Sequence, residues 1–297
     1  MIMKKAIPLV FMFLFMSLIH VAKAQTAPDS AKAQIETTDG NEYIGIILNQ
    51  TKDSIKIKTD KIGTITISQS EIRNISNIKT IKAKDGSYWL DNPQVTRYFC
   101  APNGYNLKQG EAFYQNVWVL FNQATLGITN RFSAGIGMVP LFMFSSPATP
   151  VWLTAKISMP VGKNKFNLGV GMLLGTVLGE RSNTGFGILY GIATFGAKDK
   201  NLNLGLGWAY ADGEIAQRPT INISGMIRTG PKGYFITENY IISTSDDIAV
   251  LSIIGGRRLI KHTGLDFGLM IPLEKNMDSF IAVPWLGITI PFGKNTK

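Results

Sequence analysis

From about residue 94 to the end, apolar and polar residues alternate in segment after segment, with short, often basic turns between the segments. Around Lys156, Val151, Leu153, Ala155, Ile157 and Met159 fall on one face, and Trp152, Thr154, Lys156 and Ser158 on the other. The next segment sets Phe166, Leu168, Val170 and Met172 against Asn167, Gly169 and Gly171. A period of two is the period of a strand. One apolar face opposite a Gly, Asn and Ser face fits lipid outside and a wet lumen inside, although a soluble sandwich alternates too.

The N-terminus bears on that choice. Lys4 and Lys5 precede an almost wholly apolar run from Ala6 to Ile19, and Ala22-Lys23-Ala24 has the small-x-small pattern of a signal peptidase site. The reading is a signal peptide over 1–24, cut between Ala24 and Gln25. The alternative, a membrane anchor, requires a longer run. No later stretch reaches the roughly 18 uninterrupted apolar residues of a membrane helix, so a mature chain in a membrane crosses it as a closed barrel.

Removing Lys4, Lys5 and Lys23 takes the formal charge from +10 to +7. That charge is spread through turns, which suits anionic lipid head groups; an exported chain seldom meets nucleic acid, and none is expected as a partner. Cys100 is the single cysteine, so there is no internal disulfide and no cysteine metal site, and it is read as a buried structural thiol. His262, in the turn Lys261-His262-Thr263-Gly264, is the one histidine left after cleavage and is read as an ordinary exposed turn residue. No metal or other cofactor is expected.

The mature chain divides near residue 90. Residues 25–34 read as a flexible lead-in. Five short segments follow: Ile35–Thr38, Tyr43–Asn49, Ser54–Thr59, Gly63–Ser68 and Ile72–Ile78. Ile55 and Ile57 alternate there with Lys56 and Lys58, and Asp39-Gly40 supplies a tight turn. The succession of Asp39-Gly40, Tyr43-Ile44-Gly45, an Ile-Lys-Ile strand and Gly63-Thr64-Ile65-Thr66-Ile67 resembles small Sm-like or SH3-like barrels over 35–78. The functional reading of this segment is a periplasmic module for a protein partner; a spacer that only folds is the alternative. Residues 79–93, with Asp85-Gly86 and Asn92-Pro93 as breakers, read as a linker. The membrane barrel is assigned to 94–293 and a tail to 294–297.

The expected barrel strands are 94–101, 111–128, 132–142, 151–161, 166–178, 185–196, 201–211, 220–228, 234–243, 248–259, 265–272 and 280–292, about twelve, with ten as the fallback count. Short turns at 129–131, 162–165, 198–200, 230–233 and 261–264 alternate with longer connections at 102–110, 143–150, 179–184 and 212–219. Bacterial barrels keep short turns in the periplasm. A chain entering at 94 from the periplasm then places 102–110 outside. The fold class expected is all-β: an antiparallel transmembrane barrel preceded by a small five-stranded barrel.

Trp285-Leu286-Gly287-Ile288-Thr289-Ile290-Pro291-Phe292 resembles the C-terminal assembly signal of outer-membrane barrels, carried here by Gly287, Ile290 and Phe292. It departs from that signal at Trp285, where a polar residue is favoured, at Pro284 and Pro291, and in the five residues after Phe292. Over about 94–297 the chain resembles uncharacterised outer-membrane β-barrel proteins of Gram-negative bacteria. The resemblance implies residence in the outer membrane, contact with its lipids and handling by the barrel-assembly machinery.

Strand parity puts Lys156, Asn167, Asn203, Asn222, Glu238 and Asp266 inside, with either Arg257 or Arg258 beside the last two. A charge facing lipid at mid-depth costs about 2–4 kcal/mol for Arg, which favours the lumen. These residues form either a solute-selecting constriction or a salt-bridge network that fills the barrel. Trp118, Trp152, Tyr190, Trp208, Tyr210, Tyr234 and Phe292 are candidates for interfacial girdles. Three functions follow: a narrow channel for small polar or anionic solutes, a non-conducting barrel that anchors the N-terminal module, and, remotely, a lipid-modifying enzyme. No nucleophile, base and orienter converge in sequence, so the chain is read as a non-enzyme.

Overall fold

The structure is a computed structural model, and it describes residues 32–60, 62–78, 80–82, 88–144, 148–161, 165–179, 185–243, 248–273 and 280–293. The expected signal peptide, the Ala24–Gln25 junction, residues 25–31 of the lead-in and the tail 294–297 lie outside them.

Five strands make the N-terminal sheet: β1 (Lys32–Thr37), β2 (Glu42–Gln50), β3 (Ser54–Thr59), β4 (Thr64–Ser68) and β5 (Ile72–Ile78). They pair antiparallel in the order β4-β3-β2-β1-β5. The Ile-Lys alternation of β3 sends Ile55 and Ile57 into a small core with Ile35 and Ile67, and leaves Lys56 and Lys58 outside. β1 starts at Lys32, within the stretch read as lead-in, where the Lys32 ammonium pairs with Asp60 at 3.0 Å. A short hairpin, β6 (Thr80–Lys82) and β7 (Tyr88–Leu90), falls in the segment read as a linker.

The remainder is a closed barrel of twelve antiparallel strands. These are β8 (Glu111–Val117), β9 (Phe121–Gly127), β10 (Phe132–Met138), β11 (Thr149–Pro160), β12 (Phe166–Leu178), β13 (Gly185–Ala197), β14 (Lys200–Ala211), β16 (Thr220–Gly230), β17 (Gly233–Ser243), β18 (Ile248–Ile260), β19 (Thr263–Leu273) and β20 (Val283–Gly293). The two-residue β15 (Glu214–Ile215) folds back and pairs antiparallel with the end of β14. Closure is made by β20 on β8, from Gly287 opposite Val117 to Gly293 opposite Glu111. No edge of the barrel wall is left open.

The strand count matches the expectation, but two of its members differ. Residues 94–101 are not a wall strand, and 111–128 is a hairpin, β8 and β9, folded at 118–120. That turn has no glycine. Trp118 and Val119 adopt φ of 51° and 66°, and the Leu120 N–H donates to the Val117 carbonyl at 3.1 Å. The Asn116 side chain holds it from beneath, accepting from the Val119 N–H and donating to the Val119 carbonyl, both at 3.1 Å. A continuous run such as Val117-Trp118-Val119-Leu120-Phe121 reads as strand interior, because the usual turn residues are missing.

The short connections 128–131, 198–199, 231–232 and 261–262, with the end of β11 and the start of β12, share one end of the barrel with the start of β8 and the end of β20. Residues 102–110 therefore lie toward the short-turn end, not beyond the opposite rim where they were expected. The N-terminal sheet touches the same end. Lys261 donates to Glu36 at 2.9 Å, Lys232 to Glu42 at 3.4 Å, and Ile44 packs against the cluster that holds Leu90 and Leu259. The Lys261 ammonium holds the Glu36 carboxyl below its ordinary value of 4.5.

The outer surface is apolar on strand after strand. Leu153 and Leu189 are each 62% exposed, and Leu126, Ile136, Val170, Leu204, Ile223, Ile254, Leu269 and Leu286 continue the belt. A contiguous apolar surface of that extent is foreign to soluble monomers. Phe166 and Phe195 stack at 4.6 Å near the short-turn end, where Phe235, Phe267 and Phe292 also point outward. Of the aromatics expected at the interfaces, Trp208, Tyr210 and Phe292 face out. Trp152 and Tyr190 face the lumen, where they lie over inward glycines, and Tyr234 is buried there with a hydrogen bond to Asp199.

Candidate functional site

Residues 92–107 lie within the barrel, and 108–110 join them to β8 at the rim. Their middle is a tight hairpin: the Tyr98 N–H donates to the Ala101 carbonyl at 2.9 Å, the Asn103 N–H donates to the Thr96 carbonyl at 3.0 Å, and Arg97 bridges Pro102. Gln94, Tyr98, Phe99 and Asn103 have no solvent exposure. A buried segment outside the wall ladder must find partners for its backbone elsewhere. It finds them on inward side chains of the barrel.

Lys156 on β11 donates through Nζ to the carbonyls of Tyr105, Asn103 and Thr96 at 2.5, 2.9 and 3.4 Å. Glu238 on β17 accepts the N–H groups of Phe99 and Cys100 at 2.8 and 3.0 Å, and the Tyr240 hydroxyl at 2.7 Å. Arg257 on β18 forks onto Asp266 of β19, Nε at 2.6 Å and Nη2 at 3.0 Å. Its remaining donors reach the Gln94 carbonyl at 2.9 Å, the Tyr98 carbonyl at 2.7 Å and the Asn92 side chain at 3.3 Å. The fork geometry of guanidinium on carboxylate leaves just these outer N–H groups free to hold a second segment.

The uncharged members complete the seat. The Gly104 N–H donates to Thr194 at 2.7 Å, Thr194 donates to Asn203 at 2.6 Å, and the Asn203 amide reaches Asn222 at 3.4 Å. A Cβ at Gly104 would stand 2.7 Å from the Asn167 carbonyl, so only glycine lets the hairpin come this close to β12. Tyr98 and Tyr105 reach down to Asn201 and to the Gly196 carbonyl, each at 2.6 Å, near the short-turn end. Thr289 on β20 donates to Gln94 at 2.8 Å.

Three sequence expectations change here. Arg258 is exposed on the outer face, beside Leu259 and Lys261 in a cleft against the N-terminal sheet, because its neighbour Arg257 takes the inward parity. Glu238 does not join the Arg257–Asp266 pair. Register sets Arg257 opposite Tyr234, four residues from Glu238, which is about 13 Å along a strand. Cys100 is not packed away as a structural thiol: it sits at the hairpin tip, deep within the lumen, with an exposed surface. Gly287, Ile290 and Phe292, read from the sequence as an assembly signal, lie on the closing strand, Ile290 and Phe292 pointing outward.

What sequence reasoning missed is the inner segment itself. Arg97, Gln94, Tyr98 and Asn103 carried no motif, and Gln94 to Ala101 alternates well enough to read as wall. Asn92-Pro93 before it and Pro102-Asn103-Gly104 after it were the available signal, since they leave too little regular strand to span.

No protein-family model and no curated protein matches this chain. A solved chain described as "Outer-membrane expressed OmpT of Vibrio cholerae" is similar over 91% of this chain and 100% of its own, at 9% identity and a TM-score of 0.36. The flat reading of the sequence as a non-enzyme is withdrawn beside this match, which at its TM-score neither assigns nor excludes an activity.

Proposed function

We propose that the chain is an outer-membrane barrel closed by its own residues 92–107, which anchors the 32–78 sheet at the periplasmic face as a module for a protein partner. The observation that carries the reading is the use made of the lumen charges. Lys156, Glu238 and Arg257 are spent on the backbone of that segment, not on lining a passage. Residence in the membrane is supported by the apolar exterior, the phenylalanines near the short-turn end and the signal-like N-terminus. Short turns belong in the periplasm, so the N-terminal sheet and the base of the closing segment lie on that side. The closing strand β20 is the element offered to the assembly machinery, and lipids cover the belt.

The test is electrical. The purified full chain, inserted into planar bilayers and shown by heat-modifiable gel migration to be folded, is expected to give no conductance steps. Stable ohmic steps from the wild-type chain would replace this reading with the narrow channel.

A further inference from the structure

The hairpin that closes the lumen carries one cation that it does not use. Arg97 stands over the Phe113 ring at 5.2 Å and donates to Gln115. Among the described residues no carboxylate lies within ion-pair distance of it. The other charges at this depth are Lys156, Arg257, Glu238 and Asp266. Asp266 is matched by Arg257, Glu238 faces backbone N–H groups, and Lys156 faces only carbonyls. Three cations therefore stand against two anions.

Inward rings line the lumen wall from β10 to β13, and Trp152 donates to Gln123, the cross-strand neighbour of the Gln115 that Arg97 reaches. Trp152 lies across Gly137, Tyr190 across Gly171 and Phe186 across Gly175, each on the facing position of the next strand. Glycine opposite an inward aromatic lets the ring lie against the wall instead of crossing the lumen. Tyr190, Tyr240 and, beyond ion-pair distance, Glu238 stand within electrostatic reach of the Arg97 guanidinium. Cys100, three residues along the same hairpin, keeps a solvent-accessible surface while Tyr98, Phe99 and Ala101 are buried, so the hairpin tip borders open lumen.

We propose that the outer half of the lumen is a binding well for a small aromatic anion, with the free guanidinium edge of Arg97 as its carboxylate- or sulfonate-binding group. The reading rests on residues 92–107 forming the floor of the well. An apolar, ring-lined cleft with one convergent cation is the pattern of a small-molecule site. Guanidinium presents paired donors that match a carboxylate, and the ring faces accept a planar body.

Cys100 is the chain's single cysteine and supplies a native reporter. In the folded full chain in lipid, a sulfonate-bearing thiosulfonate reagent is expected to modify Cys100 faster than its trimethylammonium counterpart. Arg97→Gln should lower that charge preference roughly three- to tenfold, as removal of one nearby charge does in a partly screened site. Arg97→Lys should retain it. Millimolar benzoate should slow modification by the neutral methyl thiosulfonate, and benzamide should not; this arm uses the wild-type chain and needs no variant to fold. A thiol inert to all three reagents, equal rates for both charges, or equal protection by benzoate and benzamide would each overturn the proposal. Conductance tests the closed barrel separately, so loss of one reading is distinguishable from loss of the other.

Discussion

Arg257 and Asp266 show what a single pair does here. Both are almost fully buried, and the pair serves the inner segment as much as itself, since Arg257 also holds Gln94 and Tyr98. Arg257→Leu leaves the Asp266 carboxylate in the lumen without its partner, and a stranded charge of this kind costs about 3–5 kcal/mol. The double variant with Asp266→Leu should recover part of that loss. Urea unfolding of the folded protein in detergent measures both. The parity of these residues is legible in the sequence, because a two-residue period assigns each side chain a face. The choice of partner is not. Whether Glu238 meets Arg257 depends on the stagger between β17 and β18, which no local pattern in either strand states.

Among the elements, the β8–β9 hairpin is the instructive case. Its turn places Trp118 and the β-branched Val119 at positive φ, a conformation that costs about 1–2 kcal/mol per residue for L side chains. The Asn116 bracket and the packing of Trp118 on Trp285 at 4.9 Å offset it. Val119 is 78% exposed and packs on little, so Val119→Gly should raise stability by about 1 kcal/mol, read as a shift of the urea midpoint with unchanged slope. An unchanged or lowered midpoint would mean that the turn is not strained. The other wall strands were legible because Gly, Lys and Asn mark their short turns. This one was not, because the turn is imposed by tertiary contacts on residues that prefer strands. Asn116 and Asn122 on either side were the faint local sign, and the Asn116 amide does reach Asn122 at 2.9 Å.

For the whole molecule, twelve strands, closure and a largely buried inner segment fit one design: a wall that satisfies its own backbone and a lumen whose polar groups satisfy a second piece of chain. Composition and period fix the wall. The inner segment follows from long-range pairing between residues 92–105 and strands up to nearly two hundred positions later, such as Gln94 with Thr289. Hydrogen exchange of residues 94–104 in the full chain, folded into lipid, tests that seat most directly. The amides of Phe99 and Cys100, bonded to Glu238, and of Gly104, bonded to Thr194, should exchange as slowly as those of the central wall strands, and Glu238→Gln should speed the first two ahead of the third. Exchange of the 94–104 segment at the rate of an open loop, with the wall protected, would show that the lumen is not closed by this segment.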